Sequence, residues 1–170
     1  MKHTQSRTKR IATLGITASL ALLLSYVEFL LPPLFVAAPG IKLGLPNVAI
    51  LFVLYYMGVR EAIGVSLVRV LLSAILFGNA MTLAYSLAGA ALSLLVMALL
   101  KRWGVLSPVG VSVAGAVSHN VGQTIVAVLL LDTPQIAYYM IVLTLTGVVT
   151  GAFVGLLGGF ILRRIPAGRL

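Results

Sequence analysis

Long apolar stretches, divided by short segments that hold nearly all the positive charge, constrain this chain more than any other feature. Ten of its twelve Lys and Arg residues fall in those segments: Lys2, Arg7, Lys9 and Arg10, then Arg60, then Lys101 and Arg102, then Arg163, Arg164 and Arg169. Lys and Arg are enriched in short cytoplasmic loops because positive charge resists translocation across a membrane. The pattern therefore predicts class, crossings and orientation together: an all-α integral membrane bundle of six transmembrane helices. Two basic residues, Lys42 and Arg69, fall outside the pattern and need another explanation.

Composition agrees with a lipid-facing surface. The chain is 61% hydrophobic and 9% charged, where a soluble domain carries about 25% charged residues. A nucleic-acid binder would gather its net charge of +9 on one folded polar face. Here the charge is split among loop ends, so the expected partner is the lipid bilayer, with generic contact to anionic lipid, and not nucleic acid. Cysteine is absent, which removes disulfides, a thiol nucleophile and Cys-ligated metals. The basic head and apolar run of the N-terminus look at first like a signal peptide. However, 11–31 is long enough to span and further apolar spans follow, so it is expected to remain as the first helix.

The expected spans are 11–31, 47–57 in its clear part, 62–77, 81–100, 109–131 and 136–162. The second is short for a crossing unless it begins near Ile41. Residues 32–46 form an outside loop, opened by Pro32 and Pro33. The whole chain, 1–170, is then one membrane domain: a basic tail over 1–10, a bundle over 11–163 and a second tail over 164–170, with both termini cytoplasmic. Loops 58–61 and 78–80 are so short that spans two, three and four must be antiparallel neighbours. The segments are too long and too continuously apolar for barrel strands.

Small residues mark where helices approach closely. Gly147, Gly151, Gly155 and Gly159 recur every fourth residue in the last span and form a smooth stripe for helix packing. Gly15 and Ser19 in the first span, with Thr17 and Ala21, repeat the spacing. That face serves either packing within the bundle or docking of a second membrane protein.

The polar residues inside the spans point to function. Arg69 lies mid-span, about 12 Å from either end, where a charge is costly unless it faces a cavity or a partner. His119, Asn120 and Gln123 lie at similar depth in span five, and His119 and Gln123 share a helix face. Glu28, Lys42, Asn47, Asn79 and Tyr85 all fall toward the outer half. Together these residues predict a polar pocket reached from outside and covered by loop 32–46. Lys42 and Arg69 favour an anionic ligand, because Arg grips phosphate or carboxylate with a two-pronged fork. Plainer roles stand beside each: Arg69 paired with Glu28, His119 in an interhelical hydrogen bond, Lys42 as a loop charge. The chain has no phosphate-binding G-x-x-x-x-G-K-[ST] loop, no paired-carboxylate site for Mg²⁺ and diphosphate, and no assembled Ser-His-Asp set. No cofactor, metal site or catalysis by this chain alone is expected, although His119 as acid or base on a lipid phosphate is a conceivable chemistry.

The stretch Pro39-Gly-Ile-Lys-Leu-Gly-Leu-Pro-Asn47, followed by an apolar helix, Gly58 and Arg60-Glu61-Ala62, resembles a bacterial membrane family. So do the segments 69–78 and Gly115-Ala-Val-Ser-His-Asn-Val-Gly-Gln123. That family is heptaprenyl diphosphate synthase component I, also called the Gx transporter family, and the resemblance covers roughly residues 10–160. It in turn is similar to the substrate-binding S components of energy-coupling-factor (ECF) transporters. The resemblance implies a multi-pass protein of the bacterial cell membrane that captures substrate near its outer face under a loop lid. It implies docking, through small residues of the first helix, with a transmembrane coupling subunit and two ATPase subunits. Here those residues are Ala12, Gly15, Ala18 and Ser19, without an intact Ala-x-x-x-Ala pair. The family's name implies an isoprenoid diphosphate or quinone precursor as ligand, or, alternatively, a non-catalytic anchor for a heptaprenyl diphosphate synthase.

Overall fold

The computed structural model describes residues 2–31, 44–132, 138 and 140–164, with side chains from residue 7 onward. Lys42 and most of the expected lid, 32–43, lie outside the described residues, as do 133–137 and 165–170. Among the described residues there are six α-helices and no strand: α1 Lys2–Leu30, α2 Pro46–Tyr56, α3 Val59–Phe77, α4 Ala80–Trp103, α5 Pro108–Leu131 and α6 Met140–Arg164.

Four of these, α1, α4, α5 and α6, are long and apolar enough to cross a membrane, which makes this a helical membrane protein. Its outward side chains agree: Ile75, Leu129 and Ile141 are 77%, 74% and 73% exposed, a surface suited to lipid rather than water. The expectation of six spans is met in part. Helix α3 has 19 residues, about 28 Å, but it carries Arg60, Glu61 and Arg69. Helix α2 has 11 residues and reaches about 16 Å, roughly half of a ~30 Å hydrocarbon core.

The reason α2 is short and uniformly apolar is its place in the fold. Every residue from 48 to 54 is buried, with Val53 and Leu54 fully enclosed. A helix that is apolar all round belongs inside the protein. Pro46 opens it at a position where the missing N–H costs nothing. Its end is closed by the N–H groups of Met57 and Gly58, which both donate to the Val53 carbonyl at 2.9 and 3.0 Å. Gly58 has φ of 129°, outside the range of ordinary side chains, and this lets α3 start at once beside α2.

Contacts along the helices set their directions. Helices α1 and α3 run parallel: Arg10 pairs with Glu61 at one end, and Phe29 packs on Phe77 at the other, with ring centres 5.2 Å apart. Helix α2 runs back between those levels. Gly44, just before it, donates its N–H to Glu28 at 2.5 Å, and near its end the Leu54 carbonyl accepts from Lys101 Nζ at 2.5 Å. The basic groups Arg10, Arg60 and Lys101 therefore meet at one end of the bundle. Helix α1 also continues through the expected basic tail back to Lys2, since nothing in 2–14 is Gly or Pro.

The Arg10–Glu61 pair gives a pH-dependent contribution. Burial works against the charge of Glu61, but a backbone hydrogen bond and Arg10 outweigh it and hold its carboxyl below the usual carboxylate range. Arg10 is 55% exposed, so the pair is worth about 0.2–1 kcal/mol. A lowered folded-state value means the contribution is complete above the unfolded value of ~4.3 and is lost as pH falls through the folded one. Thermal unfolding of Glu61→Gln should lie slightly below the parent at pH 7 and merge with it in acid.

Helices α4, α5 and α6 form a tighter layer through glycine contacts. A Cβ placed on Gly122 would stand 2.7 Å from the Ala88 carbonyl oxygen, and one on Gly151 or Gly155 would stand 2.7 Å from the Cα of Val113 or Val109. Only hydrogen fits there, so the backbones meet directly. Gly147 lies against Asn120 in the same seam. Gly159 departs from the expected stripe, as a Cβ there meets nothing within 4 Å, and Gly158 instead packs on Leu51 of α2. A 3.6-residue turn drifts around the helix when spacing is four, so the stripe turns out of the α5 seam by its last member.

Candidate functional site

Between the α1–α3 pair and the α4–α6 layer lies a cavity of about 410 Å³. Helix α1 contributes Ser25 and Glu28, and Gly44 and Asn47 stand at the head of α2. Helix α3 contributes Arg69 and Ser73, the turn gives Gly78 and Asn79, and α4 gives Thr82 and Ser86. His119, Asn120 and Gln123 of α5 close the far side, with Thr150 of α6. The structure thus brings Arg69, His119, Asn120, Gln123, Asn47, Glu28 and Asn79 around one space. Tyr85 is half-buried on α4 but is not among the lining residues. Its neighbour Ser86 takes that position.

Each polar group reaches the cavity for a local reason. Arg69 and Ser73 are one helical turn apart and share a face. The Nε of Arg69 and the Oγ of Ser73 are buried with no hydrogen-bond partner among the described residues. A buried donor without a partner costs about 1–3 kcal/mol, so this pair stands out in the cavity wall. Glu28 is near enough for its charge to act on Arg69, while its Oε1 accepts the Gly44 N–H. That bond ties Gly44, just before α2, to α1 at the cavity rim.

The α5 group is divided between structure and cavity. Asn120 Nδ2 donates to the Leu143 carbonyl of α6 at 2.7 Å, which fixes its orientation. His119 and Gln123 lie against Gly89 of α4: a Cβ there would come within 2.8 Å of His119 Nε2 and 2.9 Å of Gln123 Cγ. Gly122, between them in sequence, admits α4 and not a ligand. Asn79 caps α4 by accepting from the Thr82 N–H at 2.8 Å. Among the described residues no group of three His, Cys, Asp or Glu could hold a metal ion.

The hydroxyls of Ser25, Ser73, Thr82, Ser86 and Thr150 were not singled out by sequence. Ser and Thr in apolar helices commonly bond back to a carbonyl four residues earlier, as Ser25 does to Ala21 at 2.9 Å, and so carry no sign of a site. One usable signal existed: Ser73 lies one turn from Arg69, and Ser25 three residues from Glu28.

On α1, Ala12, Gly15 and Ser19 lie on an exposed face, while Ala18 turns partly inward against the core. A Cβ on Gly15 meets nothing within 4 Å.

The family described as heptaprenyl diphosphate synthase component I matches residues 17–161, which takes in the second half of α1, all of α2 to α5, most of α6 and every described lining residue of the cavity. The chain belongs to this family. No curated protein and no solved structure matches it. This component I chain therefore contributes a helical membrane protein with a polar cavity inside the bundle, and the family description names it as one component of a synthase.

Proposed function

We propose that this component I protein is the substrate-binding membrane subunit of an ECF-type importer, taking an anionic, partly apolar ligand into the cavity. The observation that carries the reading is Arg69, held deep in an apolar bundle with its Nε unpartnered at a cavity wall. A charge is retained at that depth when it faces a ligand or a partner. An anionic oxygen would satisfy Arg69 Nε and Ser73 Oγ together, with His119 and Gln123 orienting the ligand from α5. Asn47, Asn79 and Glu28 stand at the rim, and loop 32–46, with Lys42, would close over it. The heptaprenyl diphosphate of the family's name has this chemistry, a diphosphate head on an apolar chain.

In this reading the chain crosses the bacterial cell membrane six times with both termini in the cytoplasm. Helix α2 is the second of these crossings. The absence of cysteine from the chain makes a clean test: single cysteines replacing Arg60, Asn79 and Trp103 are labelled in intact cells. Labelling at 79 alone supports six crossings; labelling at 60 from outside removes them.

Ala12, Gly15 and Ser19, exposed on α1, would receive the coupling subunit that carries two ATPases. The family description equally favours a second reading, a non-catalytic membrane anchor for a heptaprenyl diphosphate synthase. Gentle purification of the tagged protein from its own membranes separates the two. A membrane coupling subunit with ATPases supports the importer, and a soluble prenyl synthase supports the anchor.

A further inference from the structure

A second hollow, about 450 Å³, lies on the outside of the bundle between α3 and α4. It is lined by apolar side chains, among them Ile63, Leu67 and Val70 of α3 and Leu87, Ala91 and Leu95 of α4, with Ser66 as its single hydroxyl. The small side chains of α4 cause it, since Ala90, Ala91 and Ala98 stand where larger residues would fill the seam. It follows residues 59–70 of α3, a length of about 16 Å.

This groove adjoins the polar cavity, with the buried side chain of Val70 between them. Val70 lines both, and its neighbour Arg69 lines the cavity. On the opposite wall Ser86 faces the cavity and Leu87 the groove. The polar cavity and the apolar groove are therefore one residue step apart on each helix, with Val70 between them.

We infer that the α3–α4 groove holds the apolar chain of a single-chain phosphate or diphosphate ester whose head is bound at Arg69. This rests on the proposed cavity function and adds where the chain goes. The groove is a single furrow between two neighbouring helices joined by a tight turn, so it takes one chain and not two. Arg69, in the cavity beside the groove's Val70, selects an anionic head over a neutral lipid. The ligand then lies across the α3–α4 seam, with its head inside the bundle and its chain at the lipid boundary.

The test uses the full chain in phosphatidylcholine nanodiscs and four probes: pyrophosphate and the five-, ten- and fifteen-carbon prenyl diphosphates. Partition into the bilayer also favours longer chains, but equally for every variant, so variants are compared with one another. Ala91 and Leu67 are exposed, and Ala91→Phe or Leu67→Trp fills the groove without disturbing the core. The expected result is that each variant loses at least tenfold in affinity for the fifteen-carbon probe and keeps its affinity for pyrophosphate. Equal affinity of variant and parent for the longest probe would overturn the groove assignment while leaving head binding intact. No pyrophosphate binding by the parent, or binding indifferent to Arg69→Gln, would overturn the cavity reading and the groove with it. Thermal unfolding of both variants confirms that folded protein is compared.

Discussion

Arg69→Gln is expected to lower affinity for an anionic ligand by at least a hundredfold while leaving the unfolding temperature within a few degrees of the parent. A charge-assisted hydrogen bond to a buried anion is worth about 1.5–3 kcal/mol, and the lost Coulomb attraction in a low-dielectric cavity adds to it. On the stability side, removing the charge also removes the cost of burying it. Nε has no hydrogen-bond partner to lose, so the fold gives up little beyond the attraction of Glu28. Ligand titration together with thermal unfolding of the same preparation checks this. If stability falls as far as affinity does, Arg69 is a structural partner of Glu28.

The second large effect is structural. Gly151→Leu should destabilise the bundle by about 3 kcal/mol or prevent folding. Its Cβ alone would stand 2.7 Å from Val113 Cα and 2.9 Å from Ala116 Cβ, and overpacking costs typically 1–3 kcal/mol even where side chains can move aside. At this seam the nearest obstacle is backbone, which cannot. Gly159→Leu, two turns away on the same helix, should change stability by less than 0.5 kcal/mol, because a Cβ there meets nothing. Unfolding of the two variants in detergent checks the contrast. Similar losses at both positions would mean that Gly159 also lies in a helix interface.

Much of this was legible in the sequence because the bilayer imposes a simple rule on it. Each apolar run became a helix, and Asn79 and Ser107 set the starts of α4 and α5 as side-chain caps. The basic groups at 10, 60 and 101 came to one end of the bundle, since charge and turn length are both local signals. Arg69, His119 and Gln123 were visible because polar groups are rare in such runs. The depth of α2 was less legible. An apolar run reads alike whether it meets lipid or protein, and only its 11-residue length separates the two. Gly122 carries a related ambiguity in any sequence: a glycine permits close approach without saying what approaches, and here it is Ala88 of α4. Ser73, Ser86 and Thr150 stayed hidden because lone hydroxyls are ordinary in membrane segments, where they commonly bond back along their own helix, and the sequence does not show that Ser73 makes no such bond. The outward turn of Gly159 follows from the drift of a four-residue repeat on a 3.6-residue helix, which is readable once the seam is anchored at Gly151.

Whether the cavity holds an anionic ligand through Arg69 is measured most directly by native mass spectrometry of the protein, released gently from its own membranes. The method detects whatever is bound, so no ligand has to be chosen beforehand. A bound anionic species is expected in the parent and in Arg60→Gln, and its loss in Arg69→Gln. Identical spectra for all three, with the same adducts or with none, would contradict the proposed role of Arg69.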